Sequence, residues 1–157
     1  MSINDYALWR AVHVLAIVMW IGGVAFVTTV LLPALRRSGD DYATFERFEH
    51  RFALQAKIST QVAMVSGFMM LHLSNGWSRL ADTWWLWSMI VLWGIFTLML
   101  FVLEPWLIHR KLQQMARLDP AATMKLLQGL HIILLTLSLI TVAAGVIGAH
   151  GGAWFVN

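Results

Sequence analysis

The stretch HVLAIVMWIGGVAF, residues 13–26, is apolar apart from its single histidine and lies within a longer hydrophobic run. A helix needs about 20 such residues to cross the ~30 Å hydrocarbon core of a bilayer. Hydrocarbon offers no water to the ring nitrogens of His13, so this residue needs a partner within the protein or a bound ligand. The stretch therefore predicts a transmembrane helix that carries a candidate functional residue.

The composition of the whole chain agrees with a membrane protein. Of its 157 residues, 59% are hydrophobic and 12% are charged, which is unusual for a soluble domain. The absence of cysteine excludes disulfides, thiolate metal sites, iron–sulfur clusters and haem attached through cysteine. The basic residues lie in blocks beside the apolar segments, so we expect membrane lipid and no nucleic acid as a partner.

The hydrophobic pattern predicts an all-α fold, an integral membrane four-helix antiparallel bundle that forms one domain over residues 1–157. The predicted helices cover about 7–35, 40–74, 84–104 and 120–149. The second helix begins with an amphipathic segment along the membrane interface and enters the bilayer near residue 52. Nine of the eleven Lys and Arg residues surround the first and third connections. The positive-inside rule then places both termini outside.

Local signals mark several helix ends. Asn75-Gly76 predicts a tight turn, and Asp119-Pro120 predicts an N-cap residue followed by proline at the first helical position. Lys57 lies in the lower part of the second helix, and we expect its ammonium group to extend to the interface.

The six histidines fall into two groups by depth. The outer group is His13, His72 and His150, and the inner group is His50, His109 and His131. Two imidazoles at similar depth on facing helices can hold haem iron from both sides. Depth therefore predicts a haem b site with His13 and His72 as ligands to the iron, and with His150 as the outer alternative. Near helix ends, His72 and His150 also fit the role of interfacial residues in contact with water.

Other residues refine this prediction. Arg10 lies one turn from His13 and fits either a pairing with a haem propionate or an interfacial anchor. A second haem site on the inner side is predicted at His131 with His109, or with His50 as the alternative partner, and would let electrons cross the bilayer. Small residues of the fourth helix give thin walls for a porphyrin, or else close helix packing: Ala143, Ala144, Gly145, Gly148 and Ala149.

Two segments resemble a known family of small four-helix bacterial membrane proteins. HVLAIVMWIGGVAF followed by LPALRR, and ERFEHRFALQAKIS at residues 46–59, are similar to the HemJ-like protoporphyrinogen oxidases and the CopD-like copper-resistance proteins. In the HemJ-like group the histidine of the first helix is associated with b-type haem. The resemblance implies that role for His13 and, through the WxGG context, cofactor binding at Trp20. The lysine that these families place near the start of the third helix is missing, because Ser88 and Met89 stand there.

We therefore expect a haem b protein that carries electrons near the outer face, exchanging them with a quinone or a membrane redox partner. Any enzymatic activity would be that of a haem-dependent membrane oxidoreductase, with porphyrinogen oxidation not assigned. An alternative is copper binding or transport by the outer histidines with Met69 or Met70, since thioethers suit Cu(I). A third is a small subunit of a membrane complex without a cofactor. Homo-oligomerisation is left open.

Overall fold

The computed structural model describes residues 3–38 and 42–151, and the regular elements of these ranges are all helical. The α-helices are α1 (Ile3–Phe26), α2 (Leu32–Ser38), α3 (Tyr42–Leu73), α4 (Trp84–Leu98), α5 (His109–Leu118) and α6 (Pro120–Ala149). Segments of π-helix join α1 to α2 and α4 to α5, so that each of these pairs forms one continuous rod. With α3 and α6, the described chain consists of four helical rods.

Proline explains where the two π-helical segments lie. The first is Val27–Leu31 and the second is Met99–Ile108. Pro33 follows the first segment and Pro105 lies within the second. Proline has no backbone N–H, and its ring crowds the carbonyl four residues earlier, so an ordinary α-helical turn is disfavoured there. The wider π turn lets each helix continue past its proline.

The predicted helix ends are confirmed at two positions and extended at a third. Asp119 caps α6 by accepting a hydrogen bond from the backbone N–H of Ala122 at 2.9 Å, and Pro120 takes the first helical position. Asn75 adopts the left-handed conformation with φ of 51°, which forms the predicted turn before a short 3-10 helix. The third predicted helix continues past residue 104 to Leu118, because the π-helical segment accommodates Pro105.

The rods pack around two clusters of buried residues. α1 packs most extensively against α3, and α4 packs against α6. The first cluster, here the Trp20 core, comprises Ala16, Trp20, Ile21, Val24, Ala63, Leu92 and Phe96. The second cluster, here the Phe45 core, comprises Val27, Leu32, Leu35, Tyr42, Phe45, Leu112, Met124 and Leu127. Both π-helical segments lie where the chain passes from the Trp20 core to the Phe45 core.

In the part of the chain that the structure describes, three helical stretches are long and apolar enough to cross a membrane: Asn4–Ser38, Trp84–Glu104 and Pro120–Ala149. Large apolar side chains such as Leu15, at 65% exposure, and Ile140, at 60%, cover their outer surfaces. Apolar surfaces of this extent are typical of helices in contact with lipid. α3 has 32 residues and is long enough to span, but it is more polar than the other three. Spanning by α3 and the orientation of the bundle remain predictions.

Candidate functional site

His13 lies half-buried on α1 and points its ring at α3. Its Nδ1 lies 2.8 Å from the carbonyl oxygen of Ala63 and 3.1 Å from Oγ of Ser66. A carbonyl oxygen can only accept, so Nδ1 carries a hydrogen and donates it. The Ser66 hydroxyl donates to the carbonyl of Val62 at 2.6 Å and is therefore an acceptor toward the ring. In the neutral ring this leaves Nε2 with a free lone pair, the form in which histidine binds a metal.

Gly67 makes the close approach of this ring possible. A Cβ atom at position 67 would lie 3.2 Å from Cε1 and 3.6 Å from Nδ1 of His13. The first distance is shorter than an ordinary van der Waals contact, so a larger residue would push the ring away from the carbonyl of Ala63. One glycine and one backbone carbonyl of α3 thus fix the ring position.

Trp20 and Arg10 lie on the same helix as His13 in different surroundings. Trp20 is buried in the Trp20 core, where its ring packs edge-on against the ring of Phe96 with centroids 4.8 Å apart. Its indole N–H is a buried donor with no hydrogen-bond partner in the described ranges. The same holds for Thr60 Oγ1 on α3 and Trp93 Nε1 on α4. Arg10 is exposed, one turn from His13 toward the start of α1.

His72 and His150 lie at exposed helix ends. His72 is five residues beyond Gly67 on α3, which corresponds to about 7.5 Å along the helix and about 140° around it. It therefore does not share the face of α3 that His13 contacts. His150 ends α6, and its Nδ1 donates to the carbonyl of Val146 at 2.8 Å. The predicted pairing of His13 with His72 is thus not assembled by these contacts.

Of the inner histidines, the structure describes the side chains of His131 and His50. His131 is half-buried on α6, where its Nδ1 donates to the carbonyl of Leu127 at 2.9 Å. Its ring meets the ring of Phe45 edge-on, with centroids 6.3 Å apart. His50 is exposed on α3. His109 begins α5, but its side chain lies outside the described part of the structure, so the predicted pairing with His131 stays a prediction.

The small residues of α6 serve close packing at two positions. A Cβ atom at Gly145 would overlap the side chain of Met89, and one at Gly148 would overlap that of Trp85. Both partners belong to α4, so the surface of α6 predicted as a thin porphyrin wall is covered there by α4 side chains. For the copper alternative, the residues described include no group of three or more His, Cys, Asp or Glu that could hold a metal ion.

The sequence analysis did not predict a charged cluster in the first half of α3, away from the end that carries His72. Nζ of Lys57, the residue predicted to extend to the interface, lies 3.3 Å from Oε2 of Glu104 on the π-helical segment. Each side chain of this pair is less than a third exposed, with 29% for the lysine and 27% for the glutamate. Opposite charges within two otherwise apolar segments are the only sequence signal for such a pair, because their register depends on how the helices pack.

Carboxylates surround this ion pair. The pKa of Glu49 is raised to about 7, first by burial and then by the charges of Glu104 and Glu46, with Lys57 acting in the opposite direction. Glu46 accepts a hydrogen bond of 2.8 Å from the amide of Gln113 on α5. This group of Glu46, Glu49, Lys57 and Glu104, here the carboxylate cluster, links α3 to the rod formed by α4 and α5.

Comparison with models of protein families, with curated proteins and with solved structures yields no match. The class is therefore defined by residues 3–38 and 42–151, which are helical in their regular elements and include three helices long and apolar enough to cross a membrane.

Proposed function

We propose that this chain is a multi-pass protein of the bacterial inner membrane, in which the four rods form an antiparallel bundle with both termini outside. Three rods qualify as spans by length and apolarity. The fourth, α3, is ~48 Å long at 1.5 Å per residue and packs along α1. The concentration of Lys and Arg around the first and third connections supports the orientation.

Within that bundle, the proposed function is binding of b-type haem through His13, with electron transfer near the outer face. The observation that carries this proposal is the fixed ring of His13, whose Nδ1–H donates to the Ala63 carbonyl and leaves the Nε2 lone pair free. Metal-bound histidines are held in this way by a second hydrogen bond that sets the tautomer and the ring orientation. When bound, a b-type haem supplies one-electron redox chemistry.

The residues present fit one histidine ligand to haem iron. The buried indole N–H of Trp20 adds an unpartnered donor within the same bundle, and buried donors without partners are costly unless a ligand satisfies them. Arg10 stands one turn from His13 with its guanidinium free to meet a carboxylate near the interface. His72 fits less well, because it is exposed and lies on another face of α3. The geometry therefore supports His13 as the primary ligand.

The visible spectrum of protein purified in mild detergent tests this function. A Soret band with reduced α and β bands is the expected result. Colourless protein with stoichiometric copper would replace the proposal with copper binding by the outer histidines and Met69 or Met70. Colourless protein free of copper would replace it with a subunit that has no cofactor.

Variants at His13 separate ligation from a structural role. His13→Gln keeps an N–H donor for the Ala63 carbonyl but removes the imidazole, so we expect a folded protein that has lost its haem or its low-spin spectrum. His72→Ala measures the contribution of the weaker candidate, and His50→Ala is the matched control on an exposed face of α3. An unchanged low-spin spectrum in His13→Gln would overturn the assignment.

A further inference from the structure

A groove of about 530 Å³ runs along the outer surface between α1 and α3. Its walls include Leu15 and Met19 from α1, and Leu54, Ile58 and Val62 from α3. All five are large apolar residues with exposed side chains. Arg51 closes the groove at the end nearer the start of α3. The groove is thus apolar along its length and positively charged at one end.

The polar groups in the floor of the groove are already bonded within the protein. Gln55 donates its side-chain amide to the carbonyl of Met19 at 3.1 Å, which ties α3 to α1. The hydroxyl of Ser59 donates to the carbonyl of Gln55 at 2.7 Å. Because these donors are already bonded and the walls are otherwise apolar, hydrocarbon fits the groove best.

The dimensions match one leaflet of a bilayer. From Arg51 to Val62 the axis of α3 rises about 16 Å, and half of the hydrocarbon core measures about 15 Å. Arg51 belongs to the block of basic residues that flanks the first connection, where positive charge meets lipid headgroups. The ion pair of the carboxylate cluster joins Lys57 to Glu104 and does not include Arg51.

We propose that this groove binds one anionic phospholipid of the adjacent leaflet, with its phosphate on Arg51 and an acyl chain between α1 and α3. A guanidinium donates two parallel N–H groups to phosphate oxygens. A zwitterionic headgroup has the same phosphate but a lower net negative charge, so Arg51 should favour the anionic lipid. A second copy of the chain is the less favoured occupant. In a two-fold symmetric dimer the groove would meet the same groove of the other copy, whose lining residues include no carboxylate to pair with Arg51. The proposal concerns a different face from His13 and does not depend on haem.

Native mass spectrometry of delipidated protein tests it, with phosphatidylglycerol and phosphatidylcholine of the same acyl chains as probes. One phosphatidylglycerol should be retained in preference to phosphatidylcholine. Arg51→Gln should lower that preference about fivefold, since one basic residue near the headgroups contributes about 1 kcal/mol. Arg47→Gln is the control, because Arg47 is exposed one turn earlier on α3 and does not line the groove.

A second variant checks that the acyl chain lies in the groove. Ile58→Trp fills the apolar wall and should reduce retention of both lipids, and Ile58→Phe should do so to a smaller extent. Circular dichroism confirms that each variant is helical. An unchanged preference in Arg51→Gln, retention unaffected by Ile58→Trp in folded protein, or dimers of the chain in place of bound lipid would each overturn the proposal.

Discussion

Around His13 the polar groups are neutral and bond to backbone carbonyls, whereas the carboxylate cluster combines the Lys57–Glu104 ion pair with two more glutamates. His13 and Ser66 are satisfied by α3 alone, through Ala63 and Val62. The carboxylate cluster instead joins different rods through one ion pair and one amide. The first arrangement fixes the position of one ring, and the second makes helix packing depend on charge. The two regions should therefore respond differently to substitution and to pH.

Cysteine labelling tests whether the surroundings of His13 and the carboxylate cluster lie toward opposite sides of a membrane. The chain has no cysteine, so single cysteines at Asn75 and Gln114 are unambiguous probes. In intact cells, an impermeant maleimide should modify Asn75→Cys fully and Gln114→Cys very little. The reverse pattern would invert the orientation, and equal labelling would show that α3 or the α4–α5 rod does not span.

A larger side chain at position 67 should disturb the His13 region alone. Gly67→Leu places atoms against the His13 ring, and overpacking of this kind costs about 1–3 kcal/mol. We expect about a tenfold or greater loss of haem affinity, measured by titration of haem into apoprotein. Gly22→Leu is the matched control, because nothing lies within 4 Å of a Cβ at that position. Equal losses in both variants would show that the contact with Gly67 does not matter.

Breaking the ion pair should lower the free energy of unfolding without changing the binding of the proposed haem. Glu104→Leu leaves Lys57 unpaired, and for a pair that is partly exposed we expect a loss of about 1–3 kcal/mol. Lys57→Met combined with Glu104→Leu should recover most of it, since an apolar pair needs no compensation. Thermal unfolding followed by circular dichroism measures both effects, and Lys111→Met on an exposed position of α5 is the control. Loss of all haem in Lys57→Met would place the lysine in the cofactor site.

The pH dependence of stability should come from the carboxylate cluster. Burial raises the pKa of Glu49 from 4.5 to about 7, so the folded state binds more protons than the unfolded state between these values. Stability from this group is present below pH 4.5 and declines as pH rises to about 7. Glu49→Gln should therefore raise Tm more at pH 8 than at pH 5, by about 2–4 °C. The same Tm change at both pH values would contradict the raised pKa.

The sequence predicted those features that depend on neighbouring residues. The helical runs, the Asp119 cap and the turn at Asn75 follow from local patterns of apolarity and capping. The sequence could not predict that His13 bonds to the carbonyl of Ala63, because every residue has a backbone carbonyl and helix packing decides which one lies nearby. The Lys57–Glu104 pair joins residues 47 positions apart, so it depends on packing. The predicted third span, 84–104, agrees with the apolar stretch Trp84–Glu104, but its hydrophobic pattern does not indicate that the helix continues to Leu118 beyond it.

The π-helical segments determine which residues of a rod share a face. A π turn holds more residues than an α turn, so the α-helical phase of a rod is reset when the chain passes through it. A helical wheel drawn through Phe26 and Leu32 as one α-helix would therefore assign the wrong faces beyond Leu31. Removing one residue from Val27–Leu31 would rotate α2 by about 100° and move Leu32 and Leu35 out of the Phe45 core. The apolar faces of α1 and α2 are thus set independently of each other, so substitutions in each helix need to fit only its own surroundings.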